Sequence, residues 1–371
     1  MTIGIDASRA NRPNKTGVEW YSYHLIQELK KITPDDVRVV LYTNEKLTDG
    51  LENCPQNFKE KILNWPPKYL WTQIRLGWEL FWHAPDVLFV PAHTIPFWPI
   101  SRKTKVYVTV HDVGFKRYPN LYKKIQYYYH DLTMKVIRHR ADKIITISDF
   151  SKSEIIDLYK VDANKIIVIP LGYDKDKYNA SVLENKNILD KYNIIQPYVL
   201  YVGRLEKKKN IGNMVKAFAY TKASHHNLKL VLAGNAGNDY EAIKKIITDN
   251  KLADEIILPG YIAEDDLPTV MKMAEIFLFP TLYEGFGLPI LQAMAVSTPV
   301  VTSDMEPHRE VAGGAAALAK AQNPESIAQQ INKIIKDKEF TIELKDRGIK
   351  RASQFSWTET AIKTLAVISQ K

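Results

Sequence analysis

The segment Tyr283–Glu284–Gly285–Phe286–Gly287–Leu288–Pro289 puts an acid, two glycines and a proline at the mouth of an apolar run. Pro289 suits the first turn of a helix, where its missing N–H is not required. The glycines allow a backbone to come close to a ligand, and the free N–H groups of a helix start favour an anion. Glu284 would repel that anion. It is better suited to accept hydrogen bonds from hydroxyls beside a phosphate, as sugar hydroxyls would be. Eight positions after the acid stands an amide, Gln292.

Three other stretches carry comparable chemistry. In YVLYVGRLEKKKN, Arg204 follows Gly203 at a strand end and Lys209 lies five residues on. One is a planar fork and the other a point charge, and both can hold a pyrophosphate. In KVYVTVHD, His111 ends a strand, where it could bond a substrate hydroxyl or move a proton. In NKTGVEW, Gly17 precedes the first helix and could approach a phosphate. Taken singly, each also fits a plain structural role: a strand–turn–helix joint, a solvated basic loop, a buried histidine.

Other signals are weak. Asp174–Lys175–Asp176 matches a short metal-binding pattern but lies in polar sequence, and three residues match often by chance. GNAGND, 234–239, lacks the third glycine of the dinucleotide fingerprint. There is no G-x-S-x-G and no phosphate loop ending in GK[ST].

The elements that position these groups are legible as runs. TIGIDAS, VRVVLYTN, DVLFVPA, KVYVTVHD, KIITIS and KIIVIPLG are short, β-branched-rich and separated by helix-length segments. Such runs are buried on both faces of a parallel sheet, so the alternation predicts βαβ units. The pattern restarts with YVLYVGR, LKLVLAG, EIILPGY, EIFLFPT and TPVVTSD. Residues 173–195 are polar and irregular and read as a linker. The expectation is an α/β chain with two doubly wound domains, 1–175 and 176–350, and a last helix in 351–371. Ligands of such sheets bind at the carboxyl ends of the strands, and the cleft between two domains is the natural place for a site.

Bulk properties narrow the class. The 371 residues are 45% hydrophobic and 25% charged, which fits two globular domains. The single cysteine, Cys54, can form no internal disulfide, and no Cys/His spacing suggests zinc. MTIGIDASRA has no secretory layout, and no apolar run approaches the ~20 residues of a membrane span. A cytoplasmic protein, at most resting on the inner face of a membrane, is expected. About +7 of the formal charge of +9 falls in the first 180 residues, which favours anionic partners.

In order along the chain, TGVEWYSYHL, VTVHDVGFKRYP, ADKIITISDFSKSEI, KIIVIPLGYD, YVGRLEKKKN, LPGYIAEDDLP, FPTLYEGFGLPILQAMA, TPVVTSD and EVAGGAAAL resemble glycosyltransferase family 4. These are retaining sugar-nucleotide transferases of the two-domain GT-B fold. Each piece is degenerate, but the ordered set is specific and covers nearly the whole chain. The resemblance implies a retaining transferase that moves a hexose from a GDP- or UDP-linked donor to a glycan or lipid-linked acceptor. General similarity to bacterial mannosyltransferases points to mannose. It implies that Arg204 and Lys209 hold the leaving diphosphate, that Glu284 contacts the donor sugar, and that Gly203, Gly285, Phe286, Gly287 and Leu288 line the same site. It implies His111 on the sugar, Gly17 near the diphosphate, Tyr261 and Ile262 beside the base, and a final helix that crosses back to the first domain. Neither a side-chain nucleophile, a metal nor a further cofactor is implied. The family's second acid usually stands where this chain has Gln292, which would bond the ribose without charge. That departure leaves a non-catalytic nucleotide-sugar or glycan-binding protein as a rival, and a sugar-nucleotide epimerase of the same fold as another.

The first half also contains WPPKYLWTQIRLGWELFW and FKRYPNLYKKIQYYYHDLTMKVIRHR, rich in aromatics and bases. Such stretches can rest on an anionic membrane. They fit amphipathic core helices equally well. No nucleic-acid module or clustered basic tail is present, so nucleic acid is not an expected partner.

Overall fold

The computed structural model describes residues 1–13, 15–65, 70–97, 100–237 and 239–370. Residues 66–69 of the first aromatic stretch, and residues 14 and 238 of the NKTG and GNAGND segments, therefore lie outside the described residues. The chain forms two units. Met1–Gly172 with Trp357–Lys371 make the first and Tyr173–Ser356 the second.

The first unit is built on seven strands: β1 (Thr2–Asp6), β2 (Arg38–Thr43), β3 (Phe58–Ile62), β4 (Val87–Val90), β5 (Lys105–Thr109), β6 (Lys143–Thr146) and β7 (Ile166–Val168). They lie in the order β3-β2-β1-β4-β5-β6-β7, all parallel. The second unit has β8 (Tyr198–Val202), β9 (Lys229–Ala233), β10 (Ile256–Gly260), β11 (Ile276–Phe279), β12 (Val300–Ser303) and β13 (Ala317–Ala319), in the parallel order β10-β9-β8-β11-β12-β13. β4 and β11 are buried throughout, as strands covered by helices on both faces must be. Strand order reverses between β1 and β4 in one sheet and between β8 and β11 in the other. In open α/β sheets the crevice at such a reversal is where ligands bind.

Two strands were not legible. β3 is an edge strand of sequence FKEKI in which three of five residues are charged, so no apolar run marks it. β13 is three residues, Ala-Leu-Ala, at the other sheet's edge. Residues 173–195, which read as a linker, belong to the second unit. Tyr178 is buried, Asn185 caps a helix at Lys186–Lys191, and Lys177 pairs with Asp265 at 2.6 Å within the second unit. Asp174 there closes a turn, its Oδ1 accepting from the Asp176 and Lys177 N–H groups.

The chain returns to the first unit at its end. The helix Trp357–Ile368 packs on Gly17–Ile32, with the Trp357 ring 5.2 Å from His24 and stacked on it. Thr360 donates to the Pro170 carbonyl at 2.8 Å. Residues 351–353 still belong to the preceding helix, Lys338–Ser353, in the second unit.

Candidate functional site

In the second unit the sheet reversal places the loops after β8 and β11 side by side. Gly203 and Arg204 follow β8, and a single tight turn, Lys207–Lys209, ends at Asn210 in the left-handed region. The Asn210 amide donates to the carbonyls of Pro280, at 2.8 Å, and Ala321, at 2.6 Å, and so ties this turn to the ends of β11 and β13. The Leu282 N–H donates to the Lys208 carbonyl at 3.0 Å. Held in this way, the Lys209 ammonium meets the Glu284 carboxylate. Both side chains are largely enclosed, and the Lys209 cation lies 5.8 Å from the Phe279 ring centroid.

Arg204 is more open: its Nε is 4.0 Å from Glu206, a pair of little strength at that exposure. Gly203 sits where the β8 and β9 ends meet. A Cβ on Gly234 would lie 2.0 Å from the Gly203 carbonyl oxygen.

The helix Leu288–Ala295 starts at Gly287, whose φ of +101° a side chain would disfavour. No side chain caps this start. Leu288, Pro289 and Gln292 form its half-buried stripe, while Ile290 and Leu291 face the core. Gln292 therefore shares a face with the helix start, one turn on, which is the spacing a ligand lying along that face would read. Gly285 and Phe286 are buried under this turn, and the Phe286 ring packs edge-on against Phe355. Tyr261 and Ile262 follow β10, the tyrosine exposed and the isoleucine buried.

His308 lies beneath this region and was not singled out in the sequence. Its Nδ1 is 3.0 Å from Thr302 Oγ1, and its Nε2 is 3.3 Å from Thr281 Oγ1. Thr302 spends its own proton on the Phe279 carbonyl, so it accepts from Nδ1–H, and Nε2 accepts from Thr281. Burial pushes the imidazole down to about 4, opposed by Glu284 and aided by the Lys209 charge. The unfolded chain takes up that proton near pH 6.5, whereas the folded chain resists it until about 4. The stability that His308 contributes as a neutral ring is thus complete above pH 6.5 and falls by roughly 2–3 kcal/mol as pH drops to 4. Chemical denaturation should show the stability gap between wild type and His308→Asn closing over that window. A gap independent of pH would contradict the assignment.

In the first unit His111 follows β5 and is only 5% exposed. Its Nε2–H donates to the Pro91 carbonyl at 3.1 Å, which leaves Nδ1 as the acceptor. Its ring meets Tyr21 edge-on at 4.6 Å, and its backbone carbonyl takes the Ser151 hydroxyl. Burial lowers its pKa, so it is neutral at pH 7. Gly17 is the exposed first residue of its helix, with open space around its Cα. The Glu19 carboxylate occupies that helix's first turn and accepts the Thr16 N–H at 3.2 Å. A phosphate near Gly17 would therefore share the turn with a carboxylate.

The architecture and these sites define the class. Residues 15–177 match the model of Glycosyltransferase Family 4 and residues 185–354 that of Glycosyl transferases group 1. The chain belongs to this glycosyltransferase family, and its fold is GT-B. It is 30% identical to the O-antigen chain mannosyltransferase B of Escherichia coli over 78% of this chain and 76% of that protein. It is 29% identical to the O-antigen chain mannosyltransferase RfbU of Salmonella typhimurium, over 89% and 90%. Among solved structures, the fold is similar to WaaG, a glycosyltransferase involved in lipopolysaccharide biosynthesis (TM-score 0.76, 14% identity, all of both chains). It is also similar to Anabaena Alr3699/HepE in complex with UDP and glucose (TM-score 0.76, 18% identity, 100% of this chain and 99% of that one). The chain is an enzyme, a hexosyltransferase.

Proposed function

We propose that the protein is a retaining mannosyltransferase of surface-polysaccharide assembly that takes its donor as a nucleoside-diphosphate sugar. The observation that carries this reading is the Lys209–Glu284 pair at the β8/β11 reversal, beside the uncapped helix start at Gly287. The names of the two mannosyltransferase relatives support the sugar. Lys209, Arg204 and the N–H groups of the helix start take the diphosphate, where charge builds as the bond to the sugar breaks. Glu284 accepts the sugar's hydroxyls and Gln292 the ribose's. The acceptor oxygen attacks the anomeric carbon from the face the diphosphate leaves. The C–O electron pair goes to the diphosphate, and a diphosphate oxygen takes the acceptor's proton. Lys209 and Arg204 supply the positive charge, so the reading calls for no metal.

A thermal-shift panel of UDP, GDP, ADP and their sugar conjugates tests this. Ligand at about 100 times its dissociation constant stabilises by roughly 2.7 kcal/mol. A response to one base is expected, and silence towards all of them contradicts the reading. On the same panel Gln292→Glu should hold or tighten nucleotide binding, up to about fivefold, because a charged acceptor replaces an amide. A loss beyond about tenfold would show a ribose pocket rebuilt around the amide.

The location at the inner face of the membrane belongs to the same proposal. No helix among the described residues is long and apolar enough to cross a membrane. Two helices of the first unit pack into the core through Leu80 in one and Met134 and Ile137 in the other, and each also buries an acid and exposes apolar side chains. Gly77–Trp82 buries Glu79, which takes Lys61 at 2.5 Å, and exposes Trp78, Phe81 and Trp82. Lys124–Arg140 buries Asp131, held down at about 2 by Lys116, Lys135 and Tyr159 against its burial, and exposes the stripe Ile125, Tyr128, Leu132. Gln73 Nε2, in the turn preceding the first helix, reaches the Tyr129 hydroxyl at 3.4 Å. Aromatic rings turned outward beside basic residues suit the headgroup region of an anionic bilayer. Sedimentation with vesicles containing phosphatidylglycerol should pull down the wild type, and Trp78→Ser with Trp82→Ser should release most of it. Equal sedimentation of both would remove the membrane from the account.

A further inference from the structure

In the second unit the helix His308–Ala312 starts beneath the Glu284 loop and ends at Gly313, and a hollow of about 340 Å³ opens at that end. Its floor is a turn of two glycines, Gly313 and Gly314, with φ of +54° and +79°. A Cβ on Gly313 would lie 2.6 Å from Arg351 Nε, so the guanidinium packs directly against this turn. Around Gly314 there is open space, and its N–H has no partner among the described residues. A wall of the hollow is one face of the helix Lys338–Ser353 and its cap, where Arg347, Lys350, Arg351 and Gln354 follow at helical spacing.

The charge here is not balanced. No carboxylate stands among the described lining residues. Glu343 pairs with Arg347 at 2.5 Å, and Glu310 acts on Arg351 through space. Two carboxylates thus serve three cations, and about one positive charge is left over. Arg351 donates from Nε to the Val311 carbonyl at 2.9 Å, from Nη2 to the Glu310 carbonyl at 2.6 Å and from Nη1 to Gln354 Oε1 at 2.6 Å. All three acceptors are neutral, and burial pushes the guanidinium below its ordinary value. A guanidinium has five N–H groups, so each terminal nitrogen keeps one to give. Capping the helix end accounts for two of these hydrogen bonds. It does not account for Arg347, Lys350 or the hollow. A fixed fork, two exposed cations and a free N–H on a glycine turn are together what a phosphate takes.

The hollow also has a line to the nucleotide side. Arg351 Cζ lies 4.7 Å from the Phe355 ring centroid, and Phe355 meets Phe286 edge-on at 5.9 Å. Phe286 stands between Glu284 and Gly287. We propose that the hollow is a regulatory site: it takes one phosphate-class anion on Arg351, Arg347, Lys350 and the Gly314 N–H, and the bound anion alters nucleotide affinity through Phe355 and Phe286. The proposal rests on the transferase reading only for the site it acts upon. The anion is either free diphosphate or the phosphate of a phosphorylated sugar, and the probes separate the two.

The test is NMR of protein labelled with heavy nitrogen at glycine only, titrated with inorganic diphosphate and, separately, with mannose 1-phosphate. The Gly314 amide signal should move with one of them, and the tighter probe identifies the carrier. Arg347→Gln with Lys350→Gln should weaken that binding about tenfold or more. Both side chains are exposed, so the fold is kept. The charge-preserving exchange Arg347→Lys with Lys350→Arg should restore binding to within about threefold. The nucleotide that the thermal panel selects is followed in the same spectra at Gly285 and Gly287. Its dissociation constant should be equal in wild type and the double glutamine variant without the probe, and should differ by about threefold or more with the probe present. Competition by the probe at the donor site is common to both proteins and cancels in that comparison. A Gly314 signal that does not move, equal movement in the double glutamine variant, or nucleotide constants that stay equal with the probe present would overturn the proposal. Gly285 and Gly287 signals that respond to no nucleotide would instead sink the donor reading, and the Gly314 titration is read apart from them.

Discussion

Lys209→Ala is expected to lower kcat by about 10²–10³-fold, the usual cost of removing one preorganised charge from a site where charge develops in the transition state. The ammonium is fixed from three sides. Its turn is tied to the ends of β11 and β13 by Asn210, its head meets Glu284, and the Phe279 ring lies beneath. Alanine also leaves Glu284 without this partner, which costs stability on the order of 1–3 kcal/mol. The two effects are separable. Lys209→Met combined with Glu284→Gln removes both charges, so the fold should recover while turnover stays low. Activity of Lys209→Ala within twofold of wild type would remove this residue from the account.

Gly234→Ala should produce the largest loss of stability. The added carbon would stand 2.0 Å from the Gly203 carbonyl oxygen, in backbone with φ of +137°. Neither atom belongs to a flexible side chain, so the ends of β8 and β9 must separate. The Gly234 N–H donates to the Gly260 carbonyl at 2.8 Å, which couples β10 to the same displacement. The expected cost is about 3 kcal/mol or more, seen as a fall of roughly 6–12 °C in the melting of the second unit. Nucleotide response should weaken with it, because Arg204 is carried on the displaced loop. A melting temperature within two degrees of wild type would show that the close approach is not maintained in solution.

The sequence made the covered strands legible and the edges illegible, for one physical reason. β4, β8 and β11 are buried and read as unbroken apolar runs, whereas FKEKI is broken by charges and Ala-Leu-Ala is too short to give such a signal. Residues 173–195 read as a linker by their polarity, and in the structure they belong to the second unit. There the polar groups are spent on local caps and on the Lys177–Asp265 pair, around a buried Tyr178. Within the site, Lys209 and Glu284 stand 75 residues apart, and only the strand order brings them together. Strand-end position was enough to single them out. His308 escaped notice because its meaning lies in what surrounds it. A lone histidine in MEPHRE says nothing until the threonine pair is seen beside it.

The most direct test of the central claim is product analysis after incubation with the nucleotide sugar that the thermal panel selects and a mannoside acceptor on an undecyl diphosphate. Mass and proton-NMR spectra should show an acceptor longer by one hexose, joined with the anomeric configuration it had in the donor, and one free nucleoside diphosphate per sugar moved. A product of inverted configuration, or nucleoside diphosphate released with the sugar epimerised and the acceptor untouched, would contradict the account.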